Sequence, residues 1–251
     1  LKPGTLYLVA TPIGNLEDIT YRAIRVLREC DLIAAEDTRH TGILLRHYAI
    51  SRPMVSYFKF NEARRSTEIV GRLRAGEKIA LVTDAGSPGI SDPGARVVEA
   101  VLAAGFTVEA VPGACALVVA LTASGLPSDE FHFAGFLPHK SGQRARRLGE
   151  LGRLPGTIVL YESPFRIERL IRELVELLPQ RRVVLARELT KKFEEWLRGT
   201  PVELAAEWKR RPRKGEFVVL IGPGESPLQS VEEGLDEGPD DAPIQDSSAN
   251  S

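Results

Sequence analysis

Short apolar runs, each followed at once by a glycine- or proline-rich turn, recur along this chain. Leu6-Tyr7-Leu8-Val9-Ala10 leads into Thr11-Pro12-Ile13-Gly14-Asn15, and Ile79-Ala80-Leu81-Val82-Thr83 into Asp84-Ala85-Gly86-Ser87-Pro88-Gly89. Val108-Glu109-Ala110-Val111 leads into Pro112-Gly113-Ala114-Cys115. Buried parallel strands read as nearly continuous apolar runs. The pattern predicts strands over 5–10, 31–36, 53–57, 78–83 and 107–111. Between them the apolar period becomes helical, at Tyr21–Leu27, through Ile69–Leu73, and over Ala95–Ala104. Asp92-Pro93 reads as the N-cap and first-turn proline of the last helix, and Gly105 as its stop. Strand and helix alternate as in repeated βαβ units, which build a mostly parallel sheet with helices on its faces.

The pattern changes at 126–157, where the turn Leu126-Pro127-Ser128-Asp129 precedes a strand at Phe131–Phe136 and a basic stretch, His139–Arg153. A second series follows: strand 157–161, helix 164–178, strand 182–187, a strand-like stretch 193–199, helix 201–209 and strand 216–221. It has more hairpin character than the first. Two α/β domains are expected, 1–124 and 125–222. Residues 223–251 are rich in Gly, Pro, Ser and acid, with too little apolar surface to offset ordering entropy, so a disordered tail is expected there.

The net charge of −1 conceals an asymmetry. The tail carries eight acids and no Lys or Arg; without it, 33 basic residues face 26 acidic ones, a net charge of +7. A basic body suits a polyanionic partner, although a solvated surface with a solubilising tail reads equally well. No apolar run reaches the roughly 20 residues that span a bilayer, and no signal-peptide pattern opens the chain, so a cytoplasmic protein without membrane contact is expected. The two cysteines, Cys30 and Cys115, read as free thiols. The four histidines lack metal-ligand spacing, and no metal is expected.

Ligands of open α/β sheets bind outside the carboxyl ends of the strands, where small residues let main-chain groups approach. The segment Asp84–Gly94 packs three glycines and two prolines into eleven residues. That exceeds the about 2–6 residues of most βα connections and points to a binding loop. Neither G-x-G-x-x-G nor a P-loop is present. Glu36-Asp37-Thr38-Arg39 ends another strand. Its carboxylates can accept a hydroxyl proton; alternatively Asp37 caps a helix and pairs with Arg39. Lys140, Arg144, Arg146 and Arg147, with Arg153 and Arg210-Arg211-Pro212-Arg213-Lys214, form a candidate phosphate track or a solvated face. Tyr57, Phe58, Phe60 and His40 are candidate base-stacking side chains.

Taken in order, Val9–Asp18, Ala35–Arg39, Thr83–Gly94, Val111–Ala116, Tyr161-Glu162-Ser163-Pro164-Phe165-Arg166 and Gly215–Val219 resemble the bacterial ribosomal small-subunit RNA cytidine 2′-O-methyltransferase I family, within the tetrapyrrole-methylase superfamily. The resemblance covers about residues 4–222. It implies two α/β domains of the tetrapyrrole-methylase type, S-adenosylmethionine in the cleft between them, a homodimer, and ribosomal RNA or the small ribosomal subunit as partner. By position, Pro12, Ile13, Gly14, Asn15, Asp84, Ala85, Gly86, Ser87, Pro88, Gly89, Ile90, Pro112, Gly113, Ala114, Cys115 and Ala116 line the donor pocket. Tyr161, Glu162 and Ser163 close it. Many superfamily members carry Gly-Asp-Pro where this chain has Gly86-Ser87-Pro88, with its acid earlier at Asp84.

On this reading Glu36 or Asp37 is the base for a ribose 2′-hydroxyl, Arg39 orients the substrate, and Lys140, Arg144, Arg146 and Arg147 meet RNA. The rival readings are a small-molecule methylase, such as one acting on a tetrapyrrole precursor, and a non-catalytic RNA-binding assembly factor.

Overall fold

The apolar runs of the N-terminal half pair as one parallel sheet in a computed structural model that describes residues 1–224. Its strands β1 (Thr5–Val9), β2 (Leu32–Ala35), β3 (Met54–Ser56), β4 (Ile79–Val82) and β5 (Thr107–Val111) lie in the order β3-β2-β4-β1-β5. β2 and β4 are buried at every position, which is why they read as unbroken apolar runs. Alternate side chains feed two cores. Tyr7, Val9, Ile33 and Ala35 pack with α1 (Tyr21–Glu29) and α2 (Thr38–His47) on one face. Leu6, Leu32, Ala34 and Leu81 pack with α3 (Glu62–Arg74) and α4 (Ala95–Ala103) on the other.

The chain leaves β1 towards β2 on one side and β4 towards β5 on the other, so the strand order reverses between these two neighbours. Such a reversal opens a crevice at the carboxyl ends. The turns after β1 and β4 are two of the three glycine-rich turns. One expectation is corrected here. The N-cap of α4 is Gly94, without a side-chain cap bond, so Asp92 and Pro93 stand before the helix. Glycine fits the cap because a Cβ there would lie 3.1 Å from Gly89 N.

α5 (Ala116–Ser124) carries the chain across to a second sheet. The expected division after residue 124 leaves α5 with the first unit, yet its buried Leu117, Ala120 and Leu121 pack on Val159, Val184 and Leu220 of the second sheet. That sheet orders β6 (Phe131–Phe136), β7 (Thr157–Glu162), β8 (Val183–Arg187), β9 (Glu195–Gly199) and β10 (Phe217–Ile221) as β6-β7-β10-β8-β9. β6 and β7 are parallel and the other pairings antiparallel. Its other face is covered by α6 (Ser141–Leu151), α7 (Ile167–Leu177) and α8 (Pro201–Arg210), through Leu148, Leu170, Leu174, Leu204 and Trp208. Thr200 and Glu203 form a reciprocal capping box that starts α8. Of the expected tail, only Pro223 and Gly224 are among the described residues.

Candidate active site

The three glycine-rich turns are stitched to one another by main-chain and side-chain hydrogen bonds. Thr11 N donates to Gly86 O at 2.9 Å and Gly86 N to Thr11 O at 3.0 Å, while Thr11 Oγ1 donates to Thr83 O at 3.1 Å. Ser87 Oγ donates to Ala114 O at 3.4 Å, tying the second turn to the third. Gly86 has φ +81°, a region that side chains other than glycine strain to enter. At Gly113 the reason for glycine is proximity, because a Cβ there would lie 2.8 Å from Ala10 Cβ. The second sheet is bonded on as well: Leu117 N donates to the Tyr161 hydroxyl at 3.1 Å.

Between these turns and the ends of β7, β8 and β10 lies a cleft of about 310 Å³. Its size suits a small molecule. Of the expected donor-site residues, Ile13, Ala85, Gly86, Ser87, Ile90, Cys115, Ala116, Tyr161, Glu162 and Ser163 line it. Pro12, Gly14, Asn15, Asp84, Pro88, Gly89, Pro112, Gly113 and Ala114 are not part of the lining. Several of these have visible structural work: Asn15 caps the short turn Leu16–Asp18, and Asp84 Oδ1 accepts from Asp37 N at 3.1 Å.

Buried Glu162 is held at 3.2 Å by Arg166 Nε and accepts from Ser163 N at 2.8 Å through Oε1. Its Oε2 is buried and has no partner among the described residues. Burial pushes the Glu162 carboxyl above its ordinary range. The Tyr161 phenol is pushed up chiefly by burial as well. Phe133 and Phe136 meet the Tyr161 ring edge-to-face at 4.9 and 5.8 Å, giving the cleft an aromatic wall.

The profile of the Tetrapyrrole (Corrin/Porphyrin) Methylases family matches residues 5–205. A protein of Halalkalibacterium halodurans named Ribosomal RNA small subunit methyltransferase I is 47% identical over 243 residues, 91% of this chain and 84% of its own. A Synechocystis protein of the same name is 48% identical over 238 residues, 93% of this chain and 85% of its own. This chain belongs to that methyltransferase family, within the tetrapyrrole methylases.

Solved structures share the fold. The uroporphyrin-III C-methyl transferase of Thermus thermophilus complexed with S-adenyl homocysteine superposes with a TM-score of 0.60 at 23% identity, over 87% of this chain and 97% of that one. An Aeropyrum pernix conserved hypothetical protein gives 0.70 at 21% identity, over 93% and 88%.

Around the cleft of this methyltransferase several sequence expectations change. Asp37 caps α2, accepting from Arg39 N at 2.8 Å, and its carboxylate is bridged by Arg39 Nη2 at 2.6 Å. The hydrogen bonds and charge of Arg39 hold the Asp37 carboxyl well below the usual range, which makes it a weak proton acceptor. Glu36 Oε2 accepts from Asp84 N at 3.3 Å, and burial raises its carboxyl. Arg144 does not belong to a phosphate track. It is 1% exposed, and its guanidinium grips Glu173 of α7 in a fork of 2.7 and 2.8 Å. Arg213 is likewise buried, bonded to Glu195 and Glu207. Lys140, Arg146 and Arg147 are exposed, the two arginines pairing with Glu150. Tyr57 is buried and bonded to Glu62 and so cannot stack on a base, whereas Phe58, Phe60 and His40 are exposed.

Ser91 and Asp92 of the expected binding loop line the cleft as well, as does Glu216; Phe136, Ala186, Glu188, Leu189 and Lys191 do so without having been assigned to it from the sequence. Ser91 and Glu188 hold φ of +65° and +50°, rare values for such side chains and a mark of over-determined local structure.

Proposed function

We propose that this chain transfers a methyl group from S-adenosylmethionine to the 2′-oxygen of a cytidine ribose in small-subunit ribosomal RNA. The observation that carries the reading is the cleft of stitched main-chain turns in a chain close to half identical to proteins named Ribosomal RNA small subunit methyltransferase I.

The residues present fit the donor. The orphaned Glu162 Oε2 is a buried acceptor that needs an N–H or O–H, and the adenine, ribose and ammonium groups of the donor supply such hydrogens. The aromatic wall of Phe136 and Tyr161 offers the apolar surface that a purine requires. Ala85–Ser87 and Cys115–Ala116 bring the main chain to the lining. When bound, the donor presents a methyl group made electrophilic by its sulfonium. The chain must then align a ribose oxygen with that group, exclude water and take one proton. Exposed Arg39 and the cations Lys140, Arg146 and Arg147 are suited to phosphates. The resemblance also supports a homodimer and a cytoplasmic place of work; no described helix is long and apolar enough to cross a membrane.

Calorimetry with S-adenosylmethionine tests the donor assignment. One molecule is expected to bind per chain, with Glu162→Gln weakening it at least tenfold. Absence of binding by the folded wild-type protein would overturn the reading.

A further inference from the structure

We propose that Phe193, with Lys192, Arg211 and Lys214 around it, is a platform beside the cleft for single-stranded ribosomal RNA. The ring stacks on a base next to the nucleotide being methylated, and the cations meet phosphates. This inference rests on the RNA-methylation reading above. Phe193 is 65% exposed, so packing does not account for the ring. Its surroundings are cationic: Lys192 Nζ stands 5.7 Å from the ring centroid, and Lys192, Arg211 and Lys214 are all exposed. Exposed rings interleaved with cations hold single-stranded nucleic acid, the ring taking a base and the cations the backbone.

Two loops distant in sequence build the platform, and Arg187 at the end of β8 joins them. Its guanidinium donates to the Phe193 carbonyl through Nη1 at 3.0 Å and to the Lys214 carbonyl through Nε. On the cleft side Lys191 ties the same loops together, pairing with Glu188 at 3.1 Å and with Glu216 at 2.9 Å. Glycine is needed where they cross, because a Cβ on Gly215 would lie 2.6 Å from Glu188 Cγ. The loop that carries Phe193 also rests on the turn after β1: a Cβ on Gly14 would fall 2.4 Å from Lys191 Cγ. Glu188 and Thr190 hold φ of +50° and +64°, conformations that persist where the surroundings impose them. A loop fixed in this way loses little freedom when a ligand binds.

The nearby acids are already engaged. Glu195 is taken by Arg213 at 3.1 Å and Arg187 at 3.5 Å, and Glu207 by Arg213 at 2.8 Å. Glu194 accepts from Thr190 N at 2.6 Å and from Trp196 Nε1 at 2.8 Å. Among the described residues Lys192 and Lys214 enter no ion pair, and Arg211 reaches Glu195 only at 3.8 Å. These cations are left for a polyanion. Position completes the argument. Lys191 lines the cleft, and Phe193 follows two residues later, at most about 7 Å along the chain. A base on Phe193 therefore belongs to a close neighbour of the nucleotide whose ribose meets the donor.

The test is steady-state methyl transfer to small ribosomal subunits from cells lacking the corresponding gene. Wild type is compared with Phe193→Ala, with Phe193→Tyr, and with a variant carrying Lys192→Ala and Lys214→Ala. Phe193→Ala should raise KM for subunits about 5–150-fold, the fold-change that loss of one stacked base brings. Its kcat and its donor affinity in calorimetry should stay within about twofold of wild type, and Phe193→Tyr should restore KM. The double-lysine variant should lower the log–log salt slope of subunit binding by about 0.7 per lysine. A wild-type KM in Phe193→Ala, or a defect that Phe193→Tyr leaves unrepaired, would overturn the platform. So would Phe193→Ala sedimenting as a monomer where wild type sediments as a dimer, which gives the ring to a second copy of the chain. Wild type that binds donor yet methylates no ribosomal RNA would overturn the functional reading and the platform together, whereas unchanged variants of an active wild type would remove the platform alone.

Discussion

Replacing Arg144 by methionine separates a folding role from an RNA-binding one. Its guanidinium is 1% exposed and its partner Glu173 13%, and the two meet in a bidentate fork of 2.7 and 2.8 Å. Methionine keeps the apolar stem between α6 and α7 and removes the charge. Breaking a buried pair from one side costs about 3–5 kcal/mol, because a carboxylate is left in low dielectric. Here the lower end applies, since Arg169 Nε remains 3.4 Å from Glu173 Oε1. A loss of about 3 kcal/mol in a domain of this size lowers Tm by about 6–12 °C. Arg146→Met should move Tm by no more than about 1–2 °C, because its pair with Glu150 is exposed. Differential scanning calorimetry reads both, and a double-mutant cycle with Glu173→Gln isolates the pair. Unchanged melting of Arg144→Met, combined with a flatter salt dependence of RNA binding, would refute the burial argument and return Arg144 to the phosphate track.

Neutralising Lys140, Arg146 and Arg147 together should weaken RNA binding and lower the log–log salt slope by about 0.7 per lost phosphate contact, while donor affinity stays unchanged; an unaltered slope, read by fluorescence anisotropy, would leave these residues as a solvated face. Gly86→Val must place a β-branched side chain at φ +81°, and Gly113→Val must push into Ala10. Both should lose donor binding by at least tenfold in calorimetry while keeping their far-ultraviolet circular dichroism, and wild-type affinity in both would refute the placement of the pocket. In a native thiol assay at pH 8 one thiol per chain should react: Cys30 is buried and pushed up to about 11, whereas Cys115 is partly exposed and lines the cleft. S-adenosylmethionine should protect Cys115, and equal labelling with and without the donor would contradict its place in the cleft.

The first half of the fold was legible because parallel strands advertise themselves. β2 and β4 are buried on both faces, so the chain has no choice but continuous apolar runs, and the ligand end follows from strand direction. The contribution of Ala186–Lys191 and Glu216–Val218 was not legible. They sit in an antiparallel part of the second sheet, where no rule assigns a ligand-binding end. Charge misled at Arg144, although the spacing of Arg144, Leu148 and Leu151 places it on the buried stripe of α6. Asp92 misled differently. Asp-Pro ahead of an apolar helix has the form of a cap, and only the path of the backbone through Ser91 and Gly94 puts the cap two residues later.

The most direct test of the central claim is the identity of the methylated nucleoside. Purified protein is incubated with methyl-labelled S-adenosylmethionine and small ribosomal subunits from cells lacking the corresponding gene. The RNA is then digested and its nucleosides resolved by mass spectrometry. The account predicts label in 2′-O-methylcytidine. Label on a base, on another ribose, or on a small molecule with none in the RNA would contradict it.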